Sequence, residues 1–472
     1  MPAFRRPAPE QPVGDAIPFA HDGQYHLFFL SAPSDDSSWL HWRTDDFKTW
    51  EQLPVAVAAD TDGAAWTGSV IERDGLFHLF YTGALAGSDT PQTVCRATST
   101  DLVTFTRDTT GNPILVPEGD FELGDWRDPF VFHNPEEDEF WMVIAARRNT
   151  GPYWRRGCLA LATSPDLETW TLDPEPLYEP GNTFCPECPE IFAIGTTWYL
   201  VYSRFSENAA TVYRTADSPR GPWRTPMNDA LDGRRWYAAK SLPVGNDRRM
   251  FFGWIADRQD GTDRGAWRWG GDFGLPREVA ETVPGRLGVA MPSAALQQFT
   301  RSVPSPDALV LGVPGRSEHV FLDVDDDTIN DGYVVECRLR AAPDVTEFGL
   351  LFRMDDDLVG YAVTFDRGRS TVALTRWPPP ASPPWENSMG HGSAPEVDGP
   401  RLVERHLPMV GAAIDCRLVV EDSLLEIFVD EVVALSYRVY HRGPHELGWY
   451  VSDGELDVAS ISVRAQASRP ED

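Results

Sequence analysis

A polar turn followed by an aromatic strand recurs five times before about residue 295. This repeat restricts the fold more than any other feature of the chain. The five copies are HDGQYHLFFL from His21, RDGLFHLFYTG from Arg73, EEDEFWMVIAAR from Glu136, GTTWYLVYSRF from Gly195 and DRRMFFGWIAD from Asp247. Each begins with Gly- or Asp-bearing turn chemistry and continues into residues that favour a pleated, half-buried surface. Between them runs a second repeat: RTDDFKTWEQLP, TSTDLVTFTRD, SPDLETWTLDP and DSPRGPWRTP. The period is on the order of 50 residues, which suits a four-stranded blade. Five units predict a five-bladed β-propeller, in which the inner strands converge on one central channel. A plain β-sandwich would place its turns every 8–12 residues or so, without the larger period.

The texture changes after PSAALQQF. Residues 299–316, including the Pro- and Gly-bearing RSVPSPDALVLGVPGR, read as a linker. From Ser317 the alternating strands YVVECRLRA, EFGLLFRM, YAVTFDR, CRLVVED, LLEIFVDE and LGWYVSD predict an antiparallel β-sandwich. The expected organisation is all-β: a catalytic propeller over 1–298, the linker, and a sandwich over 317–472. Two domains agree with a length of 472 residues. The Pro-rich stretch 376–399 reads as a long exposed loop.

Charge removes several function classes. A formal net charge of −31 argues against nucleic acid and anionic membranes, because phosphate contacts need a basic face. Lys48 and Lys240 are the two lysines of the chain. No apolar run of about 18 residues is present to span a bilayer. The N-terminus MPAFRRPAPEQPVGD has no apolar h-region, which leads to an expectation of a cytoplasmic protein. The cysteines Cys95, Cys158, Cys185, Cys188, Cys337 and Cys416 are too sparse for a disulfide scaffold. Cys185 and Cys188 have the spacing of half a zinc site, but no second CxxC or HxxxH follows, so no metal is expected.

Without a nucleophile elbow, P-loop or dinucleotide fingerprint, carboxylates remain the candidates for chemistry. Most of the 72 acidic residues must be solvated. The informative ones border apolar strands, where an unpartnered charge costs several kcal/mol, about 2–7 even for a neutral polar group. These are Asp15 in PVGDAIPF, Asp128 in GDWRDPFVF and Glu187 in FCPECPEIF. All three sit at the entry to the inner strand of a blade, which would direct them to one channel. Singly, each has a plainer reading as a turn cap, an ion pair or an exposed group. Arg127 beside Asp128 would keep that carboxylate ionised. Glu187, among Cys, Pro and Phe, should be desolvated and suited to donating a proton. Asp15 would remain for attack on an anomeric carbon. A carboxylate pair about 5 Å apart implies retention, and a wider gap inversion.

Taken in order, several motifs resemble glycoside hydrolase family 32, the β-fructofuranosidases, over nearly the whole chain. Arg127-Asp128-Pro129 matches the family's RDP motif and Glu187-Cys188-Pro189 its ECP motif. WTGS (66–69), YAAKSLPVGNDRRMFFGWI (237–255), GLPREV (274–279) and LLEIFVDEVVAL (424–435) resemble further family stretches. The resemblance implies Asp15 as nucleophile, Asp128 as transition-state stabiliser, Glu187 as acid/base, retention, and no metal or organic cofactor. It implies substrate contacts from Trp66, Ser69, Arg127, Glu190 and Trp254, with a small oligosaccharide as the partner. Glu190, where the family more often has Asp, could instead support the acid from behind.

Two positions depart from the family. The Asn that usually precedes the nucleophile is Gly14, and the Gln that usually ends the first inner strand is Leu30. Losing hydrogen-bond donors should change which sugar fits. The expected activity is exo-hydrolysis of a terminal β-D-fructofuranoside. An arabinofuranoside, a difructose anhydride, or fructosyl transfer to another sugar are alternatives within the fold. A sugar-binding propeller without catalysis is the alternative from another class. The inverting furanosidases of family 43 share the propeller, but the ECP motif and C-terminal sandwich favour family 32.

Overall fold

A computed structural model describes residues 4–31, 36–206, 208–324, 332–378, 399, 401–409 and 413–466. Most of the Pro-rich stretch 376–399 lies outside the described residues. The chain is all-β, and it divides into two compact units. The first comprises Met1–Ala256 and Trp269–Gly288; the second comprises Asp257–Arg268 and Val289–Asp472.

Five antiparallel sheets follow one another through the first part of the chain among the described residues. Their first strands are Ala16–His21, Ala64–Arg73, Phe121–Asn134, Glu187–Ile194 and Trp236–Pro243. Each is paired to the aromatic strand that the first sequence repeat marks: Gln24–Leu30, Leu76–Ala84, Glu139–Arg148, Thr197–Arg204 and Arg248–Arg258. The first strand of each sheet touches the first strand of the next, and the fifth touches the first, so the five close into a ring. Apolar side chains knit neighbouring sheets together. Ile17, Phe28 and Trp39 pack with Leu79 and Tyr81; Phe80 and Val94 with Met142 and Ile144; Val143 and Leu159 with Leu200 and Tyr202.

The second sequence repeat is a recurring turn. In the first three sheets an aspartate accepts from two backbone N–H groups just ahead of it. Asp46 accepts from Lys48 and Thr49 at 2.8 and 2.7 Å. Asp101 accepts from Val103 and Thr104 at 2.8 Å each, and Asp166 from Glu168 and Thr169 at 2.9 and 2.8 Å. The residue after each aspartate (Phe47, Leu102, Leu167) takes the left-handed conformation, with φ 58°, 58° and 66°. Aspartate tolerates this tight geometry because its short carboxylate satisfies the turn's own backbone.

In the second unit, among the described residues, a seven-stranded and a six-stranded antiparallel sheet enclose one apolar core. Alternate residues of Tyr333–Ala341 (Tyr333, Val335, Cys337, Leu339) enter that core, as the period of two requires. Within the stretch read as a linker, Arg301–Val303 and Ala308–Leu311 are strands paired along Leu456–Ala465.

Candidate active site

Four of the five first strands carry an irregularity at the same place. Pairing slips after Trp66, Arg127, Glu187 and Tyr237, which face Thr82, Ala145, Ser203 and Trp254 respectively. In the last three strands two residues then oppose one, and the first of the two is left-handed: Asp128, Cys188 and Ala238, with φ 58°, 49° and 51°. Bulges of this kind bend a strand and re-aim its side chains, and they cluster at functional sites because the strain must be held by surrounding structure. The prolines after Asp128 and Cys188 add a local bias, since the residue before proline avoids the right-handed helical region.

This register corrects the expectation that the three acids occupy equivalent positions. Glu187 is equivalent to Trp66, Arg127 and Tyr237. Asp128 lies one residue further, with Cys188 and Ala238. Asp15 precedes its strand altogether. Even so, Asp15, Asp128 and Glu187 line one cavity of 260 Å³, together with Leu30, Trp66, Thr67, Arg127 and Trp269.

Asp15 is held by two donors: Thr67 Oγ1 to Oδ2 at 2.6 Å and Trp254 Nε1 to Oδ1 at 3.0 Å. The Cys188 thiol lies 3.7 Å from the same Oδ2. Burial raises the pKa of Asp15, and the Thr67 and Trp254 hydrogen bonds oppose that rise. Asp128 Oδ2 accepts from the backbone N–H of Cys188 at 2.9 Å, and the Asp128 N–H is taken by Thr82 Oγ1 at 2.8 Å. Burial raises this carboxylate too, with Arg127 pulling the other way.

Arg127 is not mainly the partner of its neighbour, as its adjacency to Asp128 suggests. Its Nη2 donates to Glu187 Oε1 at 3.0 Å and its Nη1 to Asp125 Oδ1 at 2.6 Å, whereas Asp128 Oδ2 is 4.0 Å from Nε. The left-handed turn at Asp128 separates the two side chains, and the next first strand brings Glu187 to the guanidinium. Glu187 Oε2 also accepts from Tyr237 Oη at 2.5 Å. Burial raises the Glu187 pKa, restrained by Arg127 and Tyr237. Lys240 is buried and donates to the Gly68 carbonyl. Burial lowers its pKa, while Cys188, Glu190, Asp128 and Asp15 raise it. Two buried cations thus stand among one buried and two half-buried carboxylates, an arrangement that lets one carboxyl keep a proton.

The other expected residues divide. Trp66 and Arg127 line the cavity, and Trp254 reaches it through Asp15. Ser69 does not line it: the hydroxyl donates to the Pro129 carbonyl and accepts from the Val131 N–H, both at 2.9 Å, stitching the second sheet to the third. Glu190 is fully buried behind the wall, where it accepts from the Ser241 N–H and hydroxyl at 2.8 and 2.7 Å and from Arg249 at 2.6 Å. It supports the strand that carries Glu187 and does not face the cavity. The two thiols of FCPECPEIF have separate partners, the Ala146 carbonyl for Cys185 and Asp15 for Cys188.

Thr67, Tyr237 and Trp269 were not singled out from sequence. Thr67 and Tyr237 could have been found by aligning WTGS, RDP, ECP and YAAK on one another. Trp269 has no sequence signal, but it explains Gly14. A Cβ on Gly14 would meet Trp269 Cη2 at 2.1 Å and Cζ2 at 2.5 Å, so the indole occupies the space of any side chain there. With Leu30, whose backbone N–H donates to the Asp15 carbonyl, it forms an apolar part of the cavity lining beside Asp15.

Comparison with known proteins finds relatives in both sequence and fold. Residues 16–287 match the sequence model of the glycosyl hydrolases family 32 N-terminal domain. A sucrose-6-phosphate hydrolase of Escherichia coli is 26% identical over 473 aligned positions, covering 91% of this chain and 87% of that protein. Several other curated relatives are matched over about half of their own length. Among solved structures, the family 32 β-fructofuranosidase BmSUC1 of Bombyx mori superposes with a TM-score of 0.73 at 20% identity, covering 100% of this chain and 95% of that one. The exo-inulinase of Aspergillus awamori gives 0.74 at 18% identity, with 99% and 98% covered.

Proposed function

Because the chain belongs to glycosyl hydrolase family 32, and is therefore a glycoside hydrolase, we propose that it removes terminal β-D-fructofuranosyl units from short oligosaccharides with retention of configuration. The observation that carries this reading is the convergence of Asp15, Asp128 and Glu187 on one cavity. The five sheets are the blades of a five-bladed propeller that forms the catalytic domain, residues 1–298. Residues 317–472 form the accompanying sandwich, to whose larger sheet the 299–316 segment adds two short strands.

In the first step a carboxylate oxygen of Asp15 bonds to the anomeric carbon as the bond from that carbon to the leaving oxygen breaks. Glu187 delivers its proton to that oxygen, so the leaving group departs as an alcohol. Asp128 accepts hydrogen bonds from sugar hydroxyls while positive charge develops on the ring. In the second step Glu187 takes a proton from water as the water oxygen attacks the anomeric carbon, and the Asp15 carboxylate leaves. Burial of Glu187 supports the acid role, and the hydrogen bonds from Thr67 and Trp254 support an ionised Asp15. A sugar hydroxyl in place of water would give transfer, since both outcomes share the glycosyl-enzyme intermediate.

One observation favours a second reading within the same chemistry. Gly14, Leu30 and Trp269 place an apolar wall where the family carries amides. A furanoside with fewer polar groups on that side, such as an arabinofuranoside, or a difructose anhydride would lose less there than a free fructosyl unit.

A panel of aryl furanosides, sucrose and short fructans, read by product chromatography, separates these sugars. Glu187→Gln should lower turnover of sucrose by roughly 10²–10⁴-fold and that of an activated aryl furanoside far less, because a good leaving group needs no proton. Equal losses on both would remove the acid role. Near-normal turnover by Asp15→Asn would remove the nucleophile.

A further inference from the structure

Around Phe184, three residues ahead of Glu187 in the chain, the surface carries four adjoining aromatic rings. Tyr153, Trp154 and Phe205 are 57%, 63% and 44% exposed, unusual values for such large apolar groups. Phe184 joins them. Its ring centroid is 5.3 Å from that of Trp154, 5.6 Å from Tyr153 and 5.4 Å from Phe205. The Tyr153 and Trp154 centroids are 5.4 Å apart. Tyr153 and Trp154 are neighbours in the short helical turn Tyr153–Arg155, and they meet Phe184 and Phe205, which flank the strands Glu187–Ile194 and Thr197–Arg204.

The cluster is held rigidly, which surface aromatics seldom are without a reason. Arg147 is wholly buried beneath it, with its guanidinium carbon 3.6 Å from the Phe184 centroid and 4.8 Å from that of Tyr153. It donates to the Phe184 carbonyl at 3.1 Å and the Tyr153 carbonyl at 2.9 Å. The Phe184 N–H donates to Ser206 Oγ at 3.0 Å, which ties the ring to the segment that bears Phe205. Such cation–π and backbone contacts fix ring planes in advance, so little entropy is lost when something stacks on them.

The platform is also joined to the acid. Arg147 Nε lies 3.3 Å from Asp125 Oδ2, Asp125 Oδ1 accepts from Arg127 at 2.6 Å, and Arg127 donates to Glu187 at 3.0 Å. Phe184 precedes Glu187 by three residues. An acid that protonates a leaving oxygen must stand beside the leaving group. The rings lie outside the cavity lined by the three acids and are tied to Glu187 through Arg147, Asp125 and Arg127, which sets them on the side where the departing group would rest and not around the sugar under attack.

We propose that Tyr153, Trp154, Phe184 and Phe205 form the leaving-group subsite, on which a carbohydrate ring stacks its C–H face. This rests on the retaining glycosidase reading above. Aromatic faces suit the apolar side of a sugar ring, whose hydroxyls then remain in water at the rim. The surface selects substrates whose leaving group is itself a sugar, and it contributes little when the leaving group is small.

The test compares methyl β-D-fructofuranoside with sucrose and 1-kestose in the wild type and in the double variant Trp154→Ala/Phe205→Ala. Both side chains are exposed, so their removal opens no core cavity. The expected result is a roughly tenfold fall in kcat/KM for sucrose and 1-kestose, carried mainly by KM, with the methyl glycoside within about twofold of wild type. Tenfold corresponds to about 1.4 kcal/mol, within the range of one or two aromatic contacts. The conservative pair Trp154→Phe/Phe205→Tyr should restore most of the loss. Equal falls on all three substrates, or no fall on any, would overturn the subsite. If the wild type turns over none of them, the fructosidase reading fails and the subsite falls with it; a wild type active on all three separates the two questions.

Discussion

Tyr237 belongs to a sequence stretch that resembles the family, yet its importance lies in a single atom. Its hydroxyl donates to Glu187 Oε2, and this bond favours the charged carboxylate and so lowers a pKa that burial has raised. In the proposed acid role Glu187 must be protonated to donate, so the rate falls as pH rises through its pKa. Removing the hydroxyl with Tyr237→Phe takes away one restraint. The alkaline limb of kcat/KM against pH should move to higher pH, with the acid limb, which in the same proposal follows ionisation of Asp15, changed less. A limb that moved to lower pH would mean that Tyr237 does not act through Glu187. At this scale the acids themselves were legible, because a carboxylate at the mouth of an apolar strand is costly without a purpose. Partners were not. Arg127 and Asp128 are adjacent in the chain and lie on different sides of a left-handed bend. The carboxyl of Glu190 was open to two readings from sequence, and hydrogen bonds from Ser241 and Arg249 on the neighbouring sheet hold it inward.

Among the elements, strands and turns follow from local chemistry, and the Ser/Thr-x-Asp turns are the clearest case. The bulges do not, because a bulge is defined by a partner strand as well as by its own residues. The first sheet carries a pairing of another kind. His26 Nδ1 and His41 Nε2 meet at 2.9 Å on adjacent strands, both buried. Burial, with Arg43 nearby, pushes their pKa values down to about 4 and about 2 from 6.5. A folded-state pKa below the unfolded value means that the unfolded chain binds more protons in this window. The pair's stability contribution is therefore complete above about pH 6.5 and is lost as pH falls toward 4. His26 alone should cost about 2 kcal/mol between pH 7 and pH 5. Urea unfolding at those two pH values should show a larger drop for the wild type than for His26→Leu/His41→Leu. An equal drop would show that the pair does not carry the acid sensitivity.

For the whole molecule, a net charge of −31 means self-repulsion in the folded state. Salt screens that repulsion. Raising NaCl from about 20 to about 500 mM should lift the thermal midpoint by roughly 2 °C or more, measured by calorimetry. A midpoint that fell instead would show that ion pairs such as Arg277–Asp232 and Arg147–Glu122 outweigh the repulsion. The sequence by itself determined the all-β class, the fivefold repeat, the change of texture after residue 295 or so, and the three acids. Each of these is written in short-range periodicity or in the cost of a lone charge, and both are properties of near neighbours. The tertiary structure decided that Glu187 shares Arg127 and Tyr237, that Thr67 and Trp254 hold Asp15, and that an indole excludes a side chain at Gly14. These pairings join residues from about 50 to more than 200 positions apart, and only closure of the ring of first strands brings them within hydrogen-bond reach.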